Sequence, residues 1–230
     1  MLSQDQLKAT VARHAIDHVL SRLPDDAFIG IGTGSTVDYF IDALASHKHR
    51  LKGTVASSVR SAQRLQAAGI PVHDLNKVNR LAVYIDGADE INHDLVMVKG
   101  GGAALTQEKI VASAADEFVC IVDDTKVVKR FGQFPLPVEV IPLARETVTQ
   151  RLVELGGRPR WREHVVTDNG GHILDVDGLD NDTAGAVDYE KKITMLPGVI
   201  TCGYFALRRA NVALVGSQDG VQYLSGDSHV

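Results

Sequence analysis

Apolar residues recur along the first half of the chain in two alternating rhythms. In the segment 6–22, Leu7, Val11, Ala15 and Val19 are spaced to share one face of an amphipathic helix. "AFIGIG" is a short apolar run closed by glycine, and "STVDYFIDALAS" returns to the helical period. The alternation continues through "GTVASS", "RSAQRLQAAG", "IPVHDL", "LAVYIDGADE", "LVMVKGGG", "AALTQEKIVASAA" and "EFVCIVDD". Short apolar strands separated by helices predict parallel crossover units, hence a Rossmann-like, doubly wound, mostly parallel α/β sheet covered on both faces.

Around "FGQFPLPVEVIP" the rhythm breaks, because Pro135, Pro137 and Pro142 interrupt it. Beyond them the chain reads as a helix ("ARETVTQRLVELGG"), two strands joined by the turn in "HVVTDNGGHILDV", a helix near "AGAVDYEKKITML" and a strand near "GVITCGYFA". That order predicts a second, smaller α+β domain of the split βαβ, ferredoxin-like kind. The tail "NVALVGSQDGVQYL" reads as a strand and turn returning to the first domain. The expected division is 1–131 plus 207–230 for the larger domain and 132–206 for the smaller.

Composition narrows the function classes. The 230 residues are 44% hydrophobic and 23% charged, ordinary for a globular protein, and the formal charge of −5 offers no long-range attraction to nucleic acid or anionic membrane. Cys120 and Cys202 lie in apolar segments, which suits reduced core thiols of a cytoplasmic protein. The N-terminal segment carries Asp5 and Asp17 among its apolar positions and so resembles neither a signal nor a transit peptide. No run approaches the roughly 20 apolar residues of a membrane helix. The histidines are scattered without metal-ligand spacing, and no metal or cofactor is expected.

Three loops follow expected strands, where open α/β sheets bind ligands. "GIGTGST" fails the dinucleotide fingerprint, because Ser35 or Val37 stands where the third glycine is needed. What remains is a glycine-rich entry to a helix, with Thr33, Gly34, Ser35 and Thr36 either cradling a phosphate or forming a tight turn with a hydroxyl cap. In "YIDGADEI", Asp86, Asp89 and Glu90 crowd one turn and are either candidates for proton traffic or a solvated acidic loop. "MVKGGGAALTQEK" places Lys99 beside Gly100, Gly101 and Gly102, a cation and exposed amides suited to an oxyanion. Glu108 follows on a helix face shared with Ala104, Val111 and Ala112, directed toward the sheet as a base or else complementing the helix dipole. Lys126 in "VDDTK" ends the next strand and is a weaker candidate anion partner.

These parts fit proton abstraction beside the carbonyl of a small sugar phosphate. Two other classes compete with that reading. A sugar-phosphate sensor would keep the cradle but has no need of Glu108, Lys99 and both aspartates together, and a nicotinamide oxidoreductase lacks its fingerprint here.

In order and spacing, "GIGTGST", "YIDGADEI", "KGGGAALTQEKIVA", "FPLPVEVIP", "HVVTDNGG", "LPGVITCGYFA" and "VALVGSQDGV" resemble the type A ribose-5-phosphate isomerases, from about Leu7 to Gly220. The resemblance implies interconversion of D-ribose 5-phosphate and D-ribulose 5-phosphate through an enediolate. It makes Glu108 the proton acceptor, gives Asp86 and Asp89 roles in ring opening and proton transfer, and assigns Lys99 with Gly100 to Gly102 to the oxyanion. It adds Thr33 to Thr36, Gly87, Ala88 and Lys126 as substrate contacts, and Lys8 as a phosphate contact from the first helix. A cytoplasmic homodimer or homotetramer is implied as well. The chain departs from the family pattern at Val59-Arg60 and in "DNDTAGAVDYEKKI".

Overall fold

A computed structural model describes residues 2–179 and 181–226 of the chain. The α-helices are α1 (Gln4–Leu20), α2 (Ser35–Leu44), α3 (Val59–Ala67), α4 (Leu105–Ser113), α5 (Arg145–Glu154) and α6 (Thr183–Thr194). Strands run from β1 (Ala27–Ile31), β2 (Leu51–Ala56) and β3 (Leu81–Asp86) through β4 (Glu90–Ile91), β5 (Met97–Val98), β6 (Ala115–Asp123) and β7 (Leu136–Val140). They continue with β8 (Arg158–Val166), β9 (His172–Asp177), β10 (Val199–Cys202), β11 (Tyr204–Phe205), β12 (Val212–Ser217) and β13 (Gly220–Ser225).

Two compact units form. The first comprises Met1–Ala88, Gln107–Lys126 and Ala210–Val230, and the second Asp89–Thr106 and Val127–Arg209. The segment 89–106, which the sequence reading leaves with the larger domain, thus clusters with the second unit, because β4 and β5 pair with each other and β5 with β11. Residues 1 and 227–230 of the expected larger domain lie outside the described residues.

In the first unit the sheet runs β13-β12-β6-β3-β1-β2, parallel except for β13. The predicted helix face is real: Leu7, Val11, Ala15 and Val19 are all buried, with α1 packed on α2, β6 and β12. A reciprocal capping box, Ser3 with Gln6, starts that helix. The core joins Val37, Phe40 and Ile41 of α2 to Ile29 and Ile31 of β1 and Val119 and Ile121 of β6. "IPVHDL" does not make the expected strand. Pro71 has no amide hydrogen to give a ladder, so the segment contributes only a bridge between Val72 and Thr54.

The second unit has the order β7-α5-β8-β9-α6-β10 and a four-stranded antiparallel sheet, β10-β7-β9-β8, which is the ferredoxin-like arrangement. Its core gathers Val138, Val140, Val148, Leu152, Leu174, Val176, Ala186 and Ile193. "LVMVKGGG" yields only β5, in the small three-stranded sheet β11-β5-β4, and "GVITCGYFA" is divided into β10 and β11 at Gly203. The atypical entry to α6 is capped by Asp182, which accepts from the Gly185 amide at 3.0 Å. That bond holds the Asp182 carboxyl below its ordinary value.

Candidate active site

Strand order places the first unit's chemistry. β2 lies on one side of β1, while β3, β6 and β12 lie on the other, so the topological switch falls at the carboxyl ends of β1 and β3. There the Gly32 amide donates to the Ile85 carbonyl at 2.8 Å. Asp86, fully buried at the end of β3, accepts from the amides of Thr33 at 3.0 Å and Gly87 at 2.8 Å through Oδ1. Its Oδ2 accepts from the Tyr84 hydroxyl.

Gly32 is required by this close approach. A Cβ there would lie 2.0 Å from the Asp86 carboxyl carbon and from Oδ1. Gly32→Ala is therefore expected to drive the carboxylate out of its cradle, costing about 1–3 kcal/mol of stability. With Asp86 in the role that the resemblance implies, turnover should fall roughly tenfold or more, the order of effect of misplacing a reacting group by about an ångström. Thermal melting and conversion of the sugar phosphate that the resemblance implies, on the same preparation, check both.

The Thr33 loop carries a hydroxyl cluster that the sequence reading missed. Thr33 Oγ1 donates to Ser58 Oγ at 2.7 Å, and Ser61 Oγ donates to the Gly32 carbonyl at 2.7 Å. Ser58 also caps α3, accepting from the Ser61 amide at 3.1 Å. The helix after the loop, α2, starts from Gly34 at φ 130°, with no side-chain cap on its first amides. A hydroxyl cap is thus not what this turn provides. The Val59-Arg60 departure is absorbed on the surface, where Arg60 pairs with Asp38 of α2.

Glu108 lies in the first turn of α4 and is only 3% exposed, on the face it shares with buried Val111 and Ala112. Tyr84, fully buried, has its hydroxyl pushed well above the ordinary phenol range, first by burial, then by the charges of Asp86 and Glu108. It stays protonated and donates to Asp86. Period-two alternation in "YID" puts Tyr84 and Asp86 on one face of β3, a signal that could have found it. Lys126 follows β6, half-buried, after a turn in which Asp123 accepts from the Thr125 amide at 3.1 Å. Lys8 sits half-buried in the second turn of α1, without an ion-pair partner among the described residues.

The second unit holds the remaining candidates. Lys99 is almost fully buried; its amide donates to the Gly203 carbonyl at 2.9 Å, and its ammonium lies 5.6 Å from the Phe205 ring centroid. Gly100, at φ 108°, turns the chain where a side chain would be strained. The Gly101 amide, expected among the donors to an oxyanion, gives its hydrogen to Asp89 Oδ2 at 2.8 Å. Glu90 is committed elsewhere, accepting from the amides of Gly132 and Phe134 at 3.1 and 2.8 Å. Cys120 and Cys202 are buried and are not joined in a disulfide. Among the described residues no group of three His, Cys, Asp or Glu could hold a metal ion, and no helix is long and apolar enough to cross a membrane.

An α/β sheet with buried carboxylates and a helix entrance at its switch point, and a sealed lysine beside a glycine turn, place the chain among enzymes that move protons on small anionic substrates. Residues 53–220 match the model of ribose 5-phosphate isomerase A, also called phosphoriboisomerase A. The ribose-5-phosphate isomerase A of Bordetella petrii is 56% identical over 97% of this chain and 99% of its own. The crystal structure of ribose 5 phosphate isomerase A from Neisseria gonorrhoeae superposes with a TM-score of 0.93 at 44% identity, covering 98% of this chain and 99% of that one. A D-ribose-5-phosphate isomerase solved in complex with phospho-erythronic acid gives 0.90 at 34% identity, covering 97% and 100%. The chain belongs to the ribose 5-phosphate isomerase A family.

Proposed function

We propose that Glu108 is the general base with which this chain isomerises D-ribose 5-phosphate to D-ribulose 5-phosphate, a reaction of the pentose phosphate pathway. The observation that carries the reading is the burial of Glu108 in the unit where Tyr84 and Asp86 are linked by a hydrogen bond. In the open-chain aldose, the base removes the proton on C2, and the electron pair moves toward the C1 aldehyde to give an enediolate. Returning that proton to C1, while a proton passes from O2 to O1, leaves the ketose. Asp86 and Asp89 act on the sugar oxygens in ring opening and in that transfer. Lys99 and the glycine turn stabilise the developing oxyanion, through Gly100 and Gly102, while the Gly101 amide holds Asp89.

Thr33 to Thr36 and the α2 entrance hold substrate, with Gly87 and Ala88 lining its path, Lys126 adding a cation and Lys8 reaching the phosphate. The uncapped start of α2 supports that assignment. Phospho-erythronic acid, bound by the neighbour, is a phosphorylated hydroxy acid whose carboxylate resembles the enediolate charge. Buried thiols outside any disulfide support a cytoplasmic setting. Apolar side chains left exposed in the second unit, Leu143 at 95%, Met195 at 82% and Val166 at 65%, support a homodimer or homotetramer formed through that unit.

Conversion of D-ribose 5-phosphate by purified protein in excess EDTA tests the reaction. Undiminished turnover is expected, because every step above is assigned to protein groups. Activity lost to EDTA and restored by a divalent cation would overturn the reading, and no activity under either condition would point to a sugar-phosphate sensor.

A further inference from the structure

The glycine turn is held from behind by a residue outside the proposed catalytic set. Arg162 of β8 donates from Nη1 to the carbonyls of Gly100 at 3.1 Å and Gly101 at 3.0 Å. Its Nε and Nη2 grip Asp175 of β9, the first at 2.8 Å from Oδ2 and the second at 2.5 Å from Oδ1. Both side chains are largely buried, at 18% and 17% exposure. The guanidinium therefore has its charge matched by Asp175 and its hydrogens directed to backbone, which leaves little of it for a substrate phosphate.

Peptide geometry turns this clamp into a statement about amides. In a trans peptide the carbonyl of one residue and the N–H of the next point in opposite directions. Fixing the Gly100 carbonyl fixes the Gly101 amide, which donates to Asp89 Oδ2 at 2.8 Å. Fixing the Gly101 carbonyl likewise fixes the direction of the Gly102 amide. The turn is closed by the Ala103 amide, which donates to the Gly100 carbonyl at 3.0 Å. A Cβ on Gly101 would sit 2.6 Å from Asp89 Oδ1, so backbone and carboxylate are already at their limit of approach. Arg162 reaches across because the pairing of β8 with β9 shifts register between Trp161 and Val166, the kind of irregularity that re-aims a side chain.

We infer that Arg162, clamped by Asp175, is a positioning residue for the isomerisation: it aligns and polarises the Gly101 and Gly102 amides and thereby sets the Asp89 carboxylate. This rests on the isomerase reading and adds to it a residue acting only through the turn. A lysine cannot replace it, because three donors on a point charge do not span two carbonyls and a bidentate carboxylate together.

The test compares wild type, Arg162→Lys, Arg162→Ala and Asp175→Asn for kcat, KM and melting temperature, with and without millimolar guanidinium. For the two Arg162 variants kcat is expected to fall about 10- to 100-fold, the range for misplacing a reacting group, with KM changed about twofold or less. Guanidinium should restore part of the rate to Arg162→Ala and none to Arg162→Lys. Asp175→Asn, which keeps the cation and loosens its grip, should lose kcat in the same direction. Wild-type kcat in a folded Arg162→Ala or in Asp175→Asn overturns the proposal, as does a loss in Arg162→Ala that guanidinium leaves untouched. Should Arg162→Ala fail to fold, Arg162→Lys and Asp175→Asn decide by the same split. Absence of turnover in the wild type would instead remove the isomerase reading itself.

Discussion

Glu108→Gln is expected to lower kcat by about 10²- to 10⁴-fold, the range for removing a positioned base, while substrate still binds. Glutamine keeps the size and shape of the side chain and cannot take a proton from carbon. The site is 3% exposed, and the isosteric amide opens no cavity there, so the variant should melt close to wild type. Steady-state rates, calorimetric binding of phospho-erythronic acid and exchange of the C2 hydrogen with deuterated solvent separate the effects. Exchange at the wild-type rate would remove Glu108 from its assigned role.

Lys99→Ala is expected to cost about 10²- to 10³-fold in kcat, as loss of an oxyanion donor does, with a smaller rise in KM. The asymmetry follows from the role proposed for Lys99, opposite a charge that grows from the ground state toward the enediolate. Because Lys99 is almost fully buried, truncation also leaves a hole; Lys99→Met keeps most of the stem and isolates the ammonium. A KM effect exceeding the kcat effect in Lys99→Met would make Lys99 a ground-state binder.

What the sequence made legible is what local rhythm encodes. Leu7, Val11, Ala15 and Val19 announced their buried face, and the spacing of Glu108 with Val111 and Ala112 announced its inward direction. The order of elements beyond Pro135 was enough to read a ferredoxin-like unit. Features made by distant pairing were not visible. Ser58 and Ser61 meet Thr33 across the β1-β2 crossover, and Arg162 reaches Gly100 over a separation of 62 residues. No periodicity records such contacts. The segment 89–106 misled for a related reason: β4 and β5 are two residues long each, too short to show a period, and pairing with β11 decides where they belong.

The parallel pairing of β6 with β12, Val119 to Val212 through Asp123 to Gly216, also bears on how the chain is made. A ribosome delivers β6 long before β12, and the whole βαββαβ unit emerges between them. Throughout that interval β6 is an open strand edge, fully apolar from Phe118 to Val122, the sort of edge that recruits other chains. The second unit's four-stranded sheet can pair within the nascent chain, but the first sheet closes only when β12 arrives, a long-range pairing of the kind that forms slowly. A message truncated before Ala210 would still encode Glu108, Asp86, Asp89 and Lys99, and would yield a sticky intermediate in place of an enzyme.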